Sequence, residues 1–161
     1  MMMVRAAVED ELDQLAQVWF EGWHDAHAGI VPPELTKVRT LPSFRDRLRA
    51  ALPHTRTVGA VRVPLGFCVV KGDEVYQLFV AKQWRGTGVA AALLSDAESR
   101  LAADGVATAW LACAIGNDRA ARFYEKSGWR RSGTIVNLAE TSAGPFALDV
   151  WRYEKRLPSR H

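Results

Sequence analysis

Only two cysteines occur in 161 residues, Cys68 and Cys113, each inside an apolar run and neither in a C-x-x-C pair nor clustered with histidine. That excludes a disulfide-stapled scaffold and argues against a metal site, leaving buried, reduced thiols as the expectation. Long apolar runs are missing as well. Arg62 interrupts the longest candidate, Val58 to Val70, which falls short of the ~20 residues a membrane span requires. Met1-Met2-Met3-Val4 is followed at once by Arg5, Glu9 and Asp10, without the apolar stretch of a secretion signal. A cytoplasmic protein with no membrane partner is therefore expected. Charge of one sign is not in excess either. The 21 basic residues are spread among 18 acidic ones for a net +3, with no cluster stronger than Lys155-Arg156 and Arg160. This pattern argues against nucleic acid as a partner, while a mild positive balance is suited to attracting a polyanionic cofactor. There is no internal repeat and no linker. With 48% hydrophobic residues, the chain is long enough to bury one real core. A single domain over 1–157 with a C-terminal tail at 158–161 is expected, Leu157 to His161 fraying.

What is present alternates in an α+β manner. Val4 to Val8 reads as an edge strand. A helix from about Glu9 to His24 follows, with Leu12, Leu15, Val18, Trp19 and Trp23 as its apolar stripe. After a break at Gly29 to Pro33 comes a second helix near Ser43 to Leu52, capped by Ser43. Arg56 to Val63 and Leu65 to Lys71 read as a hairpin turning at Pro64, and Gly72-Asp73 turns into a strand from Glu74 to Ala81. A helix from Thr87 to Ala103, a strand from Ala107 to Ala114, a short helix after Asn117, and strands Trp129 to Val136 and Phe146 to Lys155 complete the chain.

The most telling stretch is Gln77 to Ala92, QLFVAKQWRGTGVAAA, in which a strand passes through Arg85-Gly86-Thr87-Gly88 straight into helix-forming alanines. Glycines let the backbone approach a ligand and adopt dihedrals closed to other residues, and a new helix aims its unpaired N–H groups and positive dipole end at an anion. Other phosphate loops fit poorly. A nucleoside-triphosphate loop ends in Gly-Lys-Ser/Thr, whereas Val89 and Ala90 follow Gly88 here. A dinucleotide fingerprint needs an acidic strand end further on, but Asp104-Gly105 lies in a helix-ending turn.

A second stretch, LACAIGNDRAARFYEKSGW from Leu111, is a strand, a turn and a short helix that Gly128 stops. Asn117 is a natural cap, and Ala120, Phe123 and Tyr124 share a helix face while Arg119, Arg122 and Lys126 can stay wet.

Val80 with Arg85-Gly86-Thr87-Gly88-Val89-Ala90, followed by Asn117, Ala120, Phe123-Tyr124 and Gly128-Trp129, resembles the GNAT superfamily of N-acetyltransferases. The first block is similar to its pyrophosphate motif Q/R-x-x-G-x-G/A through Arg85, Gly88 and Ala90; a second register, Gln83, Gly86 and Gly88, also satisfies it. The second block is similar to the signature N-x-x-A-x-x-F-Y-x-x-x-G-F/W. One departure is Lys82, where relatives often carry proline.

The resemblance implies an α+β fold in αβα layers: a mixed, mostly antiparallel, twisted sheet of about seven strands with about four helices, its central strands splaying near Val80 and Ala114. It implies acetyl-CoA as cosubstrate, no metal, and transfer of the acetyl group to a primary amine of a small molecule, amino acid or peptide by direct attack in a ternary complex. A non-catalytic acyl-CoA-binding or sensing module on the same fold is the alternative. By the same resemblance Leu78, Phe79 and Val80 contact the pantetheine arm through their backbone. Arg85, Gly86, Thr87, Gly88, Val89 and Ala90 hold the pyrophosphate, Val80 N–H serves as oxyanion donor and Tyr124 as general acid. Asn117 contacts the cofactor or only caps its helix. For the general base the residues leave alternatives. Glu74 alternates with Tyr76 and Leu78 on one strand face, pointing at the amine directly or through water, or is a solvated strand-end carboxylate. His24, His27 and Glu21 near the end of the first helix, or water, are the others. Trp19, Trp23 and Trp84 pack or form an aromatic wall. A homodimer through the apolar C-terminal strand with Trp151 and Tyr153 is compatible with the pattern, as is core burial of both.

Overall fold

A computed structural model describes residues 2–158. Seven strands form one sheet: β1 (Val4–Ala6), β2 (Thr55–Val58), β3 (Gly66–Lys71), β4 (Glu74–Val80), β5 (Thr108–Ala114), β6 (Arg130–Ala139) and β7 (Phe146–Arg156), in the spatial order β1-β2-β3-β4-β5-β7-β6. All neighbours are antiparallel except β4 and β5. Five α-helices cover it: α1 (Leu12–His27), α2 (Pro33–Val38), α3 (Leu41–Ala51), α4 (Val89–Ala103) and α5 (Asp118–Lys126). One face carries α1, α2 and α3 around Trp19, Phe44 and Phe67. The other carries α4 and α5 around Leu93, Leu101, Leu111 and Tyr153. This is the expected layered α+β architecture. The central strand β3 is apolar without alternation because both its faces are covered. No helix among the described residues is long and apolar enough to cross a membrane.

The apolar stripe of α1 docks as its spacing requires, and Gly22 brings the helix onto β4: a β-carbon there would lie 2.7 Å from Phe79 Cδ1. The helix is preceded by a 3-10 turn, Glu9–Glu11, and runs on to His27. Helix α2 was not expected. Pro33 opens it, a position where proline's missing N–H costs nothing, but six residues are too few for a period to show. Thr40, not Ser43, caps α3. Its Oγ1 accepts the Ser43 N–H at 3.2 Å, and Ser43 Oγ donates to the Thr40 carbonyl at 2.7 Å. Strand β2 stops at Val58 instead of reaching Val63, because Gly59 turns the chain at φ 109.

Two expectations about the C-terminus change. Strand β7 is paired on both sides, by β5 and β6, so it has no free edge through which Trp151 and Tyr153 could pair across a two-fold axis. Tyr153 is buried, donating its hydroxyl to Glu125 at 2.6 Å, and Trp151 lies under the Arg131 guanidinium at 3.7 Å. Leu157 is not frayed: its side chain is buried and its N–H donates to the Ala107 carbonyl at 2.8 Å. Residues 159–161 of the expected tail lie outside the described residues.

Candidate active site

The two parallel strands touch at a single register pair, Glu74 with Trp110, where the Trp110 N–H donates to the Asp73 carbonyl at 3.1 Å. Beyond it they part. The local cause lies in β4: Val69 of β3 pairs with Gln77 while Val70 pairs with Val75, leaving Tyr76 as an extra residue. Such a bulge bends its strand and adds twist, turning the second half of β4 away from β5. It also changes which residues share a face. Glu74 and Tyr76 lie on the side of α1 and α3, as expected, but Leu78 packs with the α4–α5 core. Antiparallel ladders alternate between exchanged and open pairs. Ala81 donates to the Leu65 carbonyl at 2.8 Å, so Phe79 spends its backbone on Phe67 of β3. Leu78 and Val80, in the open positions, aim their N–H and C=O groups at the gap beside β5. The three residues expected as backbone contacts thus separate into two that are available and one that is not.

On the α4 side the gap widens into a cleft of about 290 Å³ lined by Leu78, Val80, Arg85, Gly88, Asn117 and Tyr124 among others. Gly86 and Gly88 stand at φ 77 and 93, values that only glycine adopts readily. Because Gly88 is left-handed, α4 begins at Val89, two residues later than expected, and its first internal bond is Ala92 N–H to the Gly88 carbonyl at 3.0 Å. The N–H groups of Val89, Ala90 and Ala91 therefore have no acceptor inside the helix, and Gly88 offers no side-chain cap. A diphosphate fits this end of the cleft. The side chains nearby contribute little to it. Val89 is buried in the core, Thr87 is exposed with its hydroxyl donated to the Trp84 carbonyl, and Arg85 is bound to Asp25 of α1 at 3.2 Å. Arg119, exposed as expected, also lines the facing wall. Its place beside the Asn117 cap was the available signal.

Between β4 and β5 the cleft narrows to a gap of about 80 Å³, lined by Leu78, Tyr124, Cys113 and His27 among others. Trp129, Tyr153 and Phe123 brace the Tyr124 ring at centroid distances of 6.4, 6.2 and 5.4 Å. Burial pushes the Tyr124 phenol well above its usual range, so it keeps its proton at any working pH. Burial also pushes the Cys113 thiol up to about 11 and that of Cys68 up to about 12; both are free thiols. Asn117 caps α5, accepting the Ala120 N–H at 3.4 Å, and lines the cleft as well.

Across the sheet, the gap opens into a polar pocket of about 110 Å³ that includes Glu74, Tyr76, His27, Arg39 and Arg47. The gap shares Leu78 and Tyr124 with the cleft and His27 and Tyr76 with the pocket, so the three make one passage through the sheet. Burial pushes the Glu74 carboxyl up to about 7, with Lys71 opposing and Asp73 reinforcing. His27 donates Nδ1–H to the Trp23 carbonyl at 3.0 Å, and burial pulls it down to about 4, so it is neutral. The other base candidates lie elsewhere. His24 is bonded to the Arg39 carbonyl at 2.7 Å, and Glu21 accepts from Gln17 at 2.9 Å on the exposed surface. Trp19 is core, Trp23 walls the pocket and stacks on His27 at 5.0 Å, and Trp84 stands at the rim of the cleft. Sequence reasoning missed Arg39 and Arg47. For Arg47 a signal existed: it sits in the buried stripe of α3 with Phe44, Leu48 and Ala51.

The family described as "Acetyltransferase (GNAT) domain" matches residues 25–148. An uncharacterized N-acetyltransferase of Mycobacterium tuberculosis is 32% identical over 112 residues, covering 66% of this chain and 69% of its own. A GCN5-related N-acetyltransferase structure from Rhodopseudomonas palustris superposes with TM-score 0.76 at 20% identity, covering 98% of this chain and 96% of that one. The PaiA N-acetyltransferase of Thermoplasma acidophilum, solved in complex with coenzyme A, superposes with TM-score 0.67 at 18% identity, covering 97% and 99%.

Proposed function

The chain belongs to the GNAT family of acetyltransferases, and from that premise we propose that it is an acetyl-CoA-dependent N-acetyltransferase, moving the acetyl group directly to a primary amine in a ternary complex. The passage through the sheet carries this reading. It has the uncapped N-terminus of α4 at one mouth and a carboxyl group at the other, with a phenol in the constriction between them.

Acetyl-CoA supplies a thioester whose C–S bond breaks as the amine nitrogen bonds to its carbonyl carbon. The residues of this chain do the remainder. The N–H groups of Val89, Ala90 and Ala91, freed by Gly86 and Gly88, hold the pyrophosphate. Leu78 and Val80 offer backbone groups to the pantetheine amides as an added strand would, with Asn117 and Arg119 lining the wall. Val80 N–H donates to the thioester oxygen as negative charge gathers there. Glu74, at about 7, takes the proton of the incoming ammonium directly or through water, a value matched to work near neutral pH. Tyr124 gives its proton to the departing sulfur while the second proton of the attacking nitrogen passes to the phenolate oxygen, so the C–S bond breaks, the amide forms and the phenol is restored. The desolvation that raises its own value also raises that of the thiol beside it, so the transfer stays balanced within the site.

The presence of both a candidate base and a candidate acid on one passage favours catalysis over a non-catalytic acyl-CoA-binding module. Thiol release from acetyl-CoA across a panel of primary amines tests the choice. Wild type should turn over at least one amine, and Tyr124→Phe should lower kcat by about a hundredfold with CoA affinity unchanged. Tight CoA binding without amine-dependent release would favour the binding module, and undiminished turnover by Tyr124→Phe would remove the general acid.

A further inference from the structure

Two arginines reach the polar pocket from separate elements. Arg39, in the link between α2 and α3, is only 4% exposed, and Arg47 projects from the buried stripe of α3. Among the described residues neither meets a carboxylate. Arg39 donates Nη1–H to the Glu140 main-chain carbonyl, while its Nε is buried without a partner. Arg47 donates Nη2–H to the Tyr76 hydroxyl at 2.9 Å and stacks over Trp19 at 4.3 Å, while its Nε and Nη1 are buried without partners.

The surrounding groups do not neutralise this pair. The Glu140 carboxylate is taken by Lys71 at 2.8 Å, His27 is neutral, and Tyr76 offers only a hydroxyl. Burial, with the nearby charge of Arg47 second, pulls Arg39 down to about 10 against the opposing pull of Tyr76 and Glu140. A buried unpaired charge is costly unless a counter-ion meets it, and planar guanidinium groups match carboxylates best. Glu74 stands on the same pocket and attracts the opposite charge.

We propose that the acceptor is a free amino acid, its carboxylate held by Arg39 and Arg47 and its amine presented to Glu74 at the mouth of the gap. This deepens the acetyltransferase reading and rests on it. It excludes polyamines and basic peptides, whose added positive charge the two arginines repel. A volume of about 110 Å³ suits a small zwitterion.

The test sets the free proteinogenic α-amino acids, each against its own α-carboxamide, on the CoA-loaded protein, reading binding by calorimetry and acetylation by thiol release. At least one acid should be preferred over its amide, and Arg39→Met or Arg47→Met should weaken acid binding and raise its KM by about ten- to a hundredfold. Amide binding should be unchanged or strengthened, because the cationic amide is relieved of an arginine's repulsion, and CoA affinity should be unmoved, which also shows that the variants are folded. Arg39→Lys and Arg47→Lys, which keep the charge but lose the planar fork, should fall between. Amides bound as well as acids by wild type, or a preference that survives both pairs of variants, would overturn the proposal. Arginine-dependent acid binding without any acetylation would leave the carboxylate site standing and sink the acetyltransferase reading instead.

Discussion

At the residue scale, burial raises the Glu74 carboxyl to about 7, with Lys71 and Arg152 opposing and Asp73 and Glu140 reinforcing. A glutamate in the unfolded chain titrates near ~4.3, so below that pH both states hold the proton and folding is not taxed. As the pH climbs past the unfolded value toward about 7, the unfolded chain gains an ion that the fold resists, and stability declines. The same group becomes useful as a base only once it has lost its proton. Glu74→Gln should therefore melt higher than wild type at pH 8, melt alike at pH 4, and lose both activity and the kinetic limb near neutrality. A variant melting lower than wild type at pH 8 would show that the carboxylate is held by favourable partners and is not strained.

At the element scale, the start of α4 joins the proposed pyrophosphate site to a backbone requirement. Gly88 caps the helix at φ 93, whereas proline holds φ near about −65° and lacks an N–H. Thr87, one residue earlier, is exposed and bonds its hydroxyl only to the Trp84 carbonyl. Gly88→Pro should weaken acetyl-CoA binding by about a hundredfold or more and Thr87→Ala by less than about threefold. Equal losses by calorimetry would mean that side chains, not main-chain groups, hold the diphosphate. Helix α3 shows a related economy: one stripe supplies Phe44, Leu48 and Ala51 to the core and Arg47 to the pocket.

At the scale of the whole molecule, the sheet is interrupted along the candidate cleft. Beyond Glu74 and Trp110 the ladder is open, and Leu78 and Val80 present backbone groups to the gap while Phe79 is paired with β3. Hydrogen exchange reads this directly. The Leu78 and Val80 amides should exchange fast in the free protein and slow on CoA addition, with Phe79 slow throughout. The accompanying stabilisation should follow mass action, about 2.7 kcal/mol at a hundredfold excess over Kd. Slow exchange of Leu78 and Val80 in the free protein would mean that the gap is closed without ligand.

From the sequence alone, the Arg85 to Ala90 cradle, the Asn117 cap and the Phe123-Tyr124 face were legible, because glycine dihedrals, capping and helical spacing act over a few residues. Those short-range patterns carried the resemblance to the family, and it was the resemblance that implied the layered architecture. Others were out of reach. The extra residue at Tyr76 leaves composition unchanged, yet it moved Leu78 to the opposite face from Glu74. Helix α2 was too short to show a period, and the order that encloses β7 between β5 and β6 is set by pairing, not by propensity. Arg39 and Arg47 meet only because α1, α3 and the end of β6 close over the same pocket, Arg39 reaching the Glu140 carbonyl across 101 positions of chain. Local chemistry determined where the candidate acetyl-CoA cradle lies. Tertiary packing decided what lines the proposed acceptor pocket, since burial and convergence of charge exist only once distant segments touch.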